Sequence, residues 1–147
     1  MKDIFLETFN EIISKSIEKF EKEKKIILPI EYIEFIKEFN GGFVKSNEFI
    51  YENNYISIEV FYGLQNAYKD FDLENHYKLD MYNTLNRDII LIAQCLGQNY
   101  IGLSIGDKNK SFVYYIDIEE YIQDFDISKI KYLKICDNFT DFIDKLL

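Results

Sequence analysis

Near the C-terminal end of the chain, five carboxylates fall within ten residues: Asp117, Glu119, Glu120, Asp124 and Asp126. No basic residue interrupts the stretch from Ile116 to Ile127, and Tyr121 and Phe125 are interleaved. Two kinds of chemistry suit that pattern. Carboxylates pair with a partner's lysines or arginines while aromatic rings anchor the contact. Oxygen ligands also hold hard divalent cations, but the spacing does not match an EF-hand loop, and no metal is assigned. The segment reads as a partner-binding patch made of Asp117, Glu119, Glu120, Tyr121, Asp124 and Asp126. The plainer alternative is an acidic loop before the final helix.

Tests for catalysis are mostly negative. General acid–base and nucleophilic chemistry need a positioned acid, base or activated nucleophile. The single histidine, His76, sits in a polar stretch and reads as a surface residue. No nucleophile-elbow signature occurs. Cys95 and Cys136 lie among apolar residues and read as buried free thiols. With one histidine they are too few and too far apart for a zinc site. Gly97 and Gly102 have the glycine spacing of a phosphate loop, but Leu103 and Ser104 follow, so the lysine that would contact phosphate is missing. The chain is therefore read as a non-enzyme, with no catalytic residue and no cofactor.

The net charge is −9, from 17 basic and 26 acidic residues. Such a surface repels phosphate backbones and anionic membranes, and attracts a basic protein. Direct nucleic-acid binding and membrane association are thus disfavoured. Arg87 is the only arginine, and Ile, Lys, Asn, Tyr and Phe are heavily used. That bias suggests an AT-rich genome and weakens arguments from composition alone. The chain opens on Met1-Lys2-Asp3 with no signal-peptide pattern. Its longest aliphatic run, Ile89 to Ala93, is far short of the ~20 residues of a membrane span. A cytoplasmic location is expected.

The elements that must position the patch follow from periodicity. Phe5, Phe9, Ile12, Ile13, Ile17 and Phe20 recur at helical steps, predicting a helix over 3–25. Leu28-Pro29 opens a second helix, with Pro29 at its first position. Tyr32, Ile33, Phe35, Ile36 and Phe39 form its apolar face, and Asn40-Gly41-Gly42 closes it, a glycine taking the left-handed conformation. Ile56, Ile58 and Val60 alternate as a strand that Phe49 to Tyr51 could pair with across Glu52-Asn53-Asn54. A short helix is predicted around Leu73 to Met81, and a strand buried on both faces from Ile89 to Cys95. Tyr100 to Ile105 follows, then a polar loop at Gly106 to Lys110, then a strand marked by Phe112, Tyr114 and Ile116. A final helix carries Phe139, Phe142, Ile143 and Leu146, capped by Asp137 or Asn138. The order predicts an α+β fold: a mostly antiparallel sheet with N-terminal and C-terminal helices packed around it. With 147 residues and no linker, one domain over 1–147 is expected.

The segment Leu28-Pro29-x-x-Tyr32-x-x-Phe35-x-x-x-x-Asn40-Gly41-Gly42 resembles the opening motif of the SUKH superfamily, the Smi/Knr type. Phe61-Tyr62-Gly63-Leu64, Ile89 to Ala93 with Gly97, Asn99 and Leu103, Val113 to Asp117, and Phe139-x-x-Phe142 resemble its later pieces in order. The chain departs from the pattern in having no tryptophan, in Ile118 where many relatives have histidine, and in lacking an aspartate at 97–99. The resemblance implies an α+β fold and, among bacterial relatives, an immunity protein that neutralises a cognate toxin, often one acting on nucleic acid. Its motif residues carry over as structural ones. The partner then expected is a protein toxin with a basic cleft, occluded sterically and electrostatically, by a protein that is a monomer when free. A regulatory scaffold or peptide-binding module is the alternative.

Overall fold

The computed structural model describes residues 4–9, 14–45, 47–65, 68–78, 88–106 and 111–147. Among these, eight strands form an antiparallel sheet: β1 (Phe5–Thr8), β2 (Gly42–Val44), β3 (Glu48–Tyr51), β4 (Asn54–Phe61), β5 (Ile89–Cys95), β6 (Tyr100–Ser104), β7 (Val113–Asp117) and β8 (Lys131–Cys136). The order across it is β1-β2-β4-β5-β6-β7-β8, with β3 paired to β4. Helices α1 (Ser14–Lys24), α2 (Ile30–Phe39), α3 (Leu73–Lys78), α4 (Tyr121–Asp124) and α5 (Phe139–Lys145) lie between and after the strands. The α+β class read from the sequence is the observed one.

The helix expected over 3–25 divides. Its first part is strand β1, and only its second part is helical. A four-residue step puts two side chains on one face of a helix, but it also does so on a strand. The Phe5 and Phe9 pair therefore fits both. Backbone pairing decides: Phe5 faces Val44 and Thr8 faces Gly42, and the Phe9 amide donates to the Gly41 carbonyl at 3.1 Å. Without β1 the outer edge of β2 would lack these partners. The Phe5 ring then packs against Phe39 at 4.9 Å and Phe35 at 5.6 Å. Ile12 and Ile13, the far end of the helix expected to Met81, and the loop at 107–110 lie outside the described residues.

Helix α2 buries Tyr32, Phe35, Ile36 and Phe39. Phe35 meets Phe61 of β4 at 5.3 Å and Phe139 of α5 at 4.9 Å, so one ring ties both helices to the sheet. Pro29 sits one position earlier than expected, at the N-cap, where its carbonyl accepts the Ile33 amide at 3.0 Å. The left-handed residue closing the helix is Asn40, not a glycine (φ 50°, ψ 38°). Its side chain explains why. Asn40 is 1% exposed, its Oδ1 accepts the Leu64 amide at 2.7 Å, and its Nδ2 donates to the Leu64 carbonyl at 2.9 Å. A single amide thus satisfies both backbone groups of Leu64. The glycines that follow serve close approach: a Cβ on Gly41 would lie 2.6 Å from the Phe61 carbonyl oxygen, and one on Gly42 2.1 Å from that of Glu7.

The β3–β4 hairpin forms with a turn one residue shorter than expected, since Asn54 pairs with Tyr51. Its turn residues Glu52 and Asn53 both have positive φ, as a two-residue turn matching strand twist requires. Strand β5 is buried along nearly its whole length. In β7 the buried residues are Val113 and Ile116, not the simple alternation of Phe112, Tyr114 and Ile116, because the register with β8 shifts between Val113 and Tyr114. Strand β8 is an addition to the elements that periodicity predicts. Asn138 caps α5, its side chain accepting the Asp141 amide at 2.8 Å. Among the described residues no helix is long and apolar enough to cross a membrane.

Candidate functional site

The acidic segment is the connection between neighbouring strands β7 and β8, at the sheet end where β5 turns into β6. That β5–β6 turn carries Asn99, a 2%-exposed amide. Asn99 Oδ1 accepts the Ile118 amide at 2.9 Å. Its Nδ2 donates to the Tyr115 hydroxyl at 2.7 Å and reaches Glu119 Oε1 at 3.4 Å. The turn therefore grips the acidic segment where it leaves the sheet. Ile118 is buried beneath it. Burial pushes the Tyr115 hydroxyl up to about 12, while the hydrogen bond from Asn99 pulls the other way by favouring the phenolate.

Beyond Ile118 the chain forms the single turn α4. Asp117 Oδ1 accepts the Glu119 amide at 2.9 Å, fixing the entry. At the exit Phe125 takes a left-handed conformation (φ 56°, ψ 32°), its amide donating to the Tyr121 carbonyl at 2.6 Å. A bulky residue there costs about 1–2 kcal/mol relative to glycine. The Tyr121 ring meets Phe125 edge to face at 5.7 Å. Asp126 Oδ1 then accepts the Ser128 amide at 3.0 Å, starting a 3-10 turn over Ile127–Lys129. The acidic run is thus an ordered structure held at both ends, not a bare loop.

Asp117 ends β7, and the other residues of the predicted patch lie on this connection. What the sequence did not show is that two lysines sit among the carboxylates. Lys131, on β8 opposite Asp117, pairs with Glu120 at 2.9 Å and also feels Asp117 and Glu119. Lys129 pairs with Asp124 and also feels Asp126 and Glu120. Both ammonium groups are raised and Asp124 is lowered by these hydrogen bonds. Five carboxylates around two lysines leave a local excess of three negative charges. The run of residues after Ile127 contained the signal, since Tyr132, Leu133 and Ile135 between lysines suit an edge strand. Edge strands commonly carry lysine.

Between the charges, Ile122, Phe125 and Ile127 are 39%, 72% and 53% exposed. Among the described residues, no cluster of three or more His, Cys, Asp or Glu side chains is arranged to hold a metal. Cys95 and Cys136 are free buried thiols, and burial raises both. An open surface depression of about 250 Å³ lies between β8 and α5, lined by Lys134, Cys136, Asp137 and Lys145. A thiol held protonated by burial is a weak nucleophile. His76 falls within α3, away in sequence from the acidic connection.

A model of the SMI1 / KNR4 family (SUKH-1) matches residues 12–145. The chain belongs to that family. It is also similar to the immunity protein YxxD of Bacillus subtilis (strain 168), 23% identical over 136 residues that cover 88% of this chain and 90% of the relative. In this family member the motif residues Leu28, Pro29, Tyr32, Phe35, Asn40, Gly41 and Gly42 all lie on α2, its entry or its exit. Through Asn40 that exit is bonded to Leu64, in the second stretch that carried the resemblance.

Replacing Asn99 with alanine is expected to loosen the acidic connection without unfolding the sheet. The Ile118 amide and the Tyr115 hydroxyl would lose their partner, a cost of about 1–3 kcal/mol. Hydrogen exchange at the Ile118 amide should quicken roughly tenfold or more, while β5 amides stay protected. The Tyr115 hydroxyl should rise further, read as a later phenolate step against a Tyr115→Phe control. Unchanged exchange at Ile118 would show that Asn99 does not hold the segment.

Proposed function

We propose that this chain is an immunity protein that binds and neutralises a cognate toxin domain in the cytoplasm, using the β7–β8 connection as its docking face. Membership of the SUKH-1 family and similarity to a protein named as an immunity protein support the role. The observation that carries the choice of face is an ordered turn presenting five carboxylates and an exposed aromatic ring. A toxin that acts on nucleic acid needs a basic cleft to hold phosphates. A protein of net charge −9 is drawn to such a cleft and repelled by its substrate. Seated there, it excludes the substrate by occupation, with no catalysis, metal or cofactor of its own. The free protein acts as a monomer.

The test is co-expression with the product of the reading frame immediately upstream of this chain's, as the candidate toxin. Growth rescue and a one-to-one complex are the expected results. A toxin that kills equally well with and without this chain, and does not bind it, ends the immunity reading.

A further inference from the structure

We infer that Phe125, flanked by Ile122 and Ile127, is the anchor of the complex, entering an apolar slot that is rimmed by lysines and arginines on the toxin. This deepens the immunity reading and rests on it. The charges on this face are exposed, and two of the five carboxylates are already engaged by Lys129 and Lys131. Exposed rim charges mainly set association rate and salt dependence, whereas residence time comes from desolvated contacts. The apolar groups must supply those contacts. Aromatic side chains dominate such anchors because one ring buries a large area with few torsions to freeze.

Phe125 is placed for that role. It is the most exposed apolar side chain of the connection, and Tyr121 props its ring edge-on. Carboxylates stand on both sides of it in the chain, at Asp124 and Asp126. Charge complementarity therefore gives the occupant a definite character: an apolar slot within a basic surface, not a bare hydrophobic groove. The backbone at 125 is one that glycine adopts freely and phenylalanine does not. Folding alone favours glycine there.

The experiment compares the wild type with Phe125→Ala, Phe125→Gly and Phe125→Leu, using the neighbouring toxin domain as probe. Association and dissociation are measured at two salt concentrations, with the Tm of each free variant. Alanine and glycine should speed dissociation by about tenfold to a hundredfold, leaving the association rate within about twofold and its salt dependence unaltered. Leucine should retain most of the residence time. Glycine should melt no lower than alanine, because it relieves the left-handed backbone, so its loss of binding is not a loss of fold. Dissociation of the glycine and alanine variants at the wild-type rate overturns the anchor while leaving the immunity reading standing. A wild type that does not bind the toxin removes both. If the wild type self-associates and Phe125→Ala abolishes only that, the slot belongs to a second copy and the inference is wrong.

Discussion

Replacing Gly63 with alanine is expected to destabilise the fold by about 4 kcal/mol or more, an exceptional effect for one added methyl group. The added Cβ would lie 1.9 Å from the Asn40 carbonyl oxygen and 2.8 Å from the Asn40 Oδ1. Neither atom has room to retreat. Asn40 closes α2 and is bonded to Leu64 on both sides of its amide, and the Gly63 amide and carbonyl pair with Phe71 and Leu73. The collision is therefore between two backbones, each fixed by its own hydrogen bonds. Domains of this size are stable by only about 5–15 kcal/mol, so a drop in Tm of roughly ten degrees or more is expected in a thermal melt. Gly97→Ala is the control. Gly97 has a φ of 86° but nothing within 4 Å of an added Cβ, so only the backbone preference of about 1–2 kcal/mol is at stake. Equal melting of the two variants would refute the packing account of Gly63.

Charge changes on the docking face should move association in two opposite directions. Glu119→Lys with Glu120→Lys alters the local charge by four units and frees Lys131 from its partner. Electrostatic steering is worth about tenfold to a thousandfold in rate at low salt. A fall in the association rate of about tenfold or more is expected, together with a flatter salt dependence. Lys129→Ala with Lys131→Ala does the reverse. It releases Asp124 and Glu120 from their ion pairs and raises the local excess from three negative charges to five. Association with a basic toxin should then become faster than wild type and steeper in salt. Exposed pairs contribute little to stability, so neither double variant should shift the melt appreciably. Removing lysines from an interface that needs negative charge gives a gain, which general damage cannot imitate. If both double variants associate at the wild-type rate, the carboxylates are not steering the encounter.

The sequence made the fold class legible because its strongest signals were periodic. The buried run from Ile89 to Cys95 and the alternation before Phe61 admit few other readings. It misled at β1, where a four-residue spacing of phenylalanines satisfies helix and strand alike. Which applies depends on the unpaired edge of β2, a partner more than thirty residues away. The left-handed position at Asn40 is hidden for a similar reason. Local chemistry favours glycine there, and only the distant Leu64 backbone makes asparagine the better residue. The acidic patch was visible as a cluster, and the structure holds its members at the end of β7 and on the connection that follows. Its net charge is smaller than the run of carboxylates suggests, because Lys129 enters it from the turn after Asp126 and Lys131 from the start of β8. The support from Asn99 is invisible in the sequence because its bonds to Tyr115, Ile118 and Glu119 span the turn of another hairpin.

If the toxin docks on the β7–β8 connection, hydrogen exchange of the free protein and of its complex with the neighbouring toxin domain shows it most directly. Amides from Glu119 to Ile127 should be markedly slowed in the complex, with those of α1 and β1 unchanged. Slowing confined to α1, β1 or α3, with the amides of 119–127 exchanging as in the free protein, would put the interface elsewhere and contradict the docking face proposed for this chain.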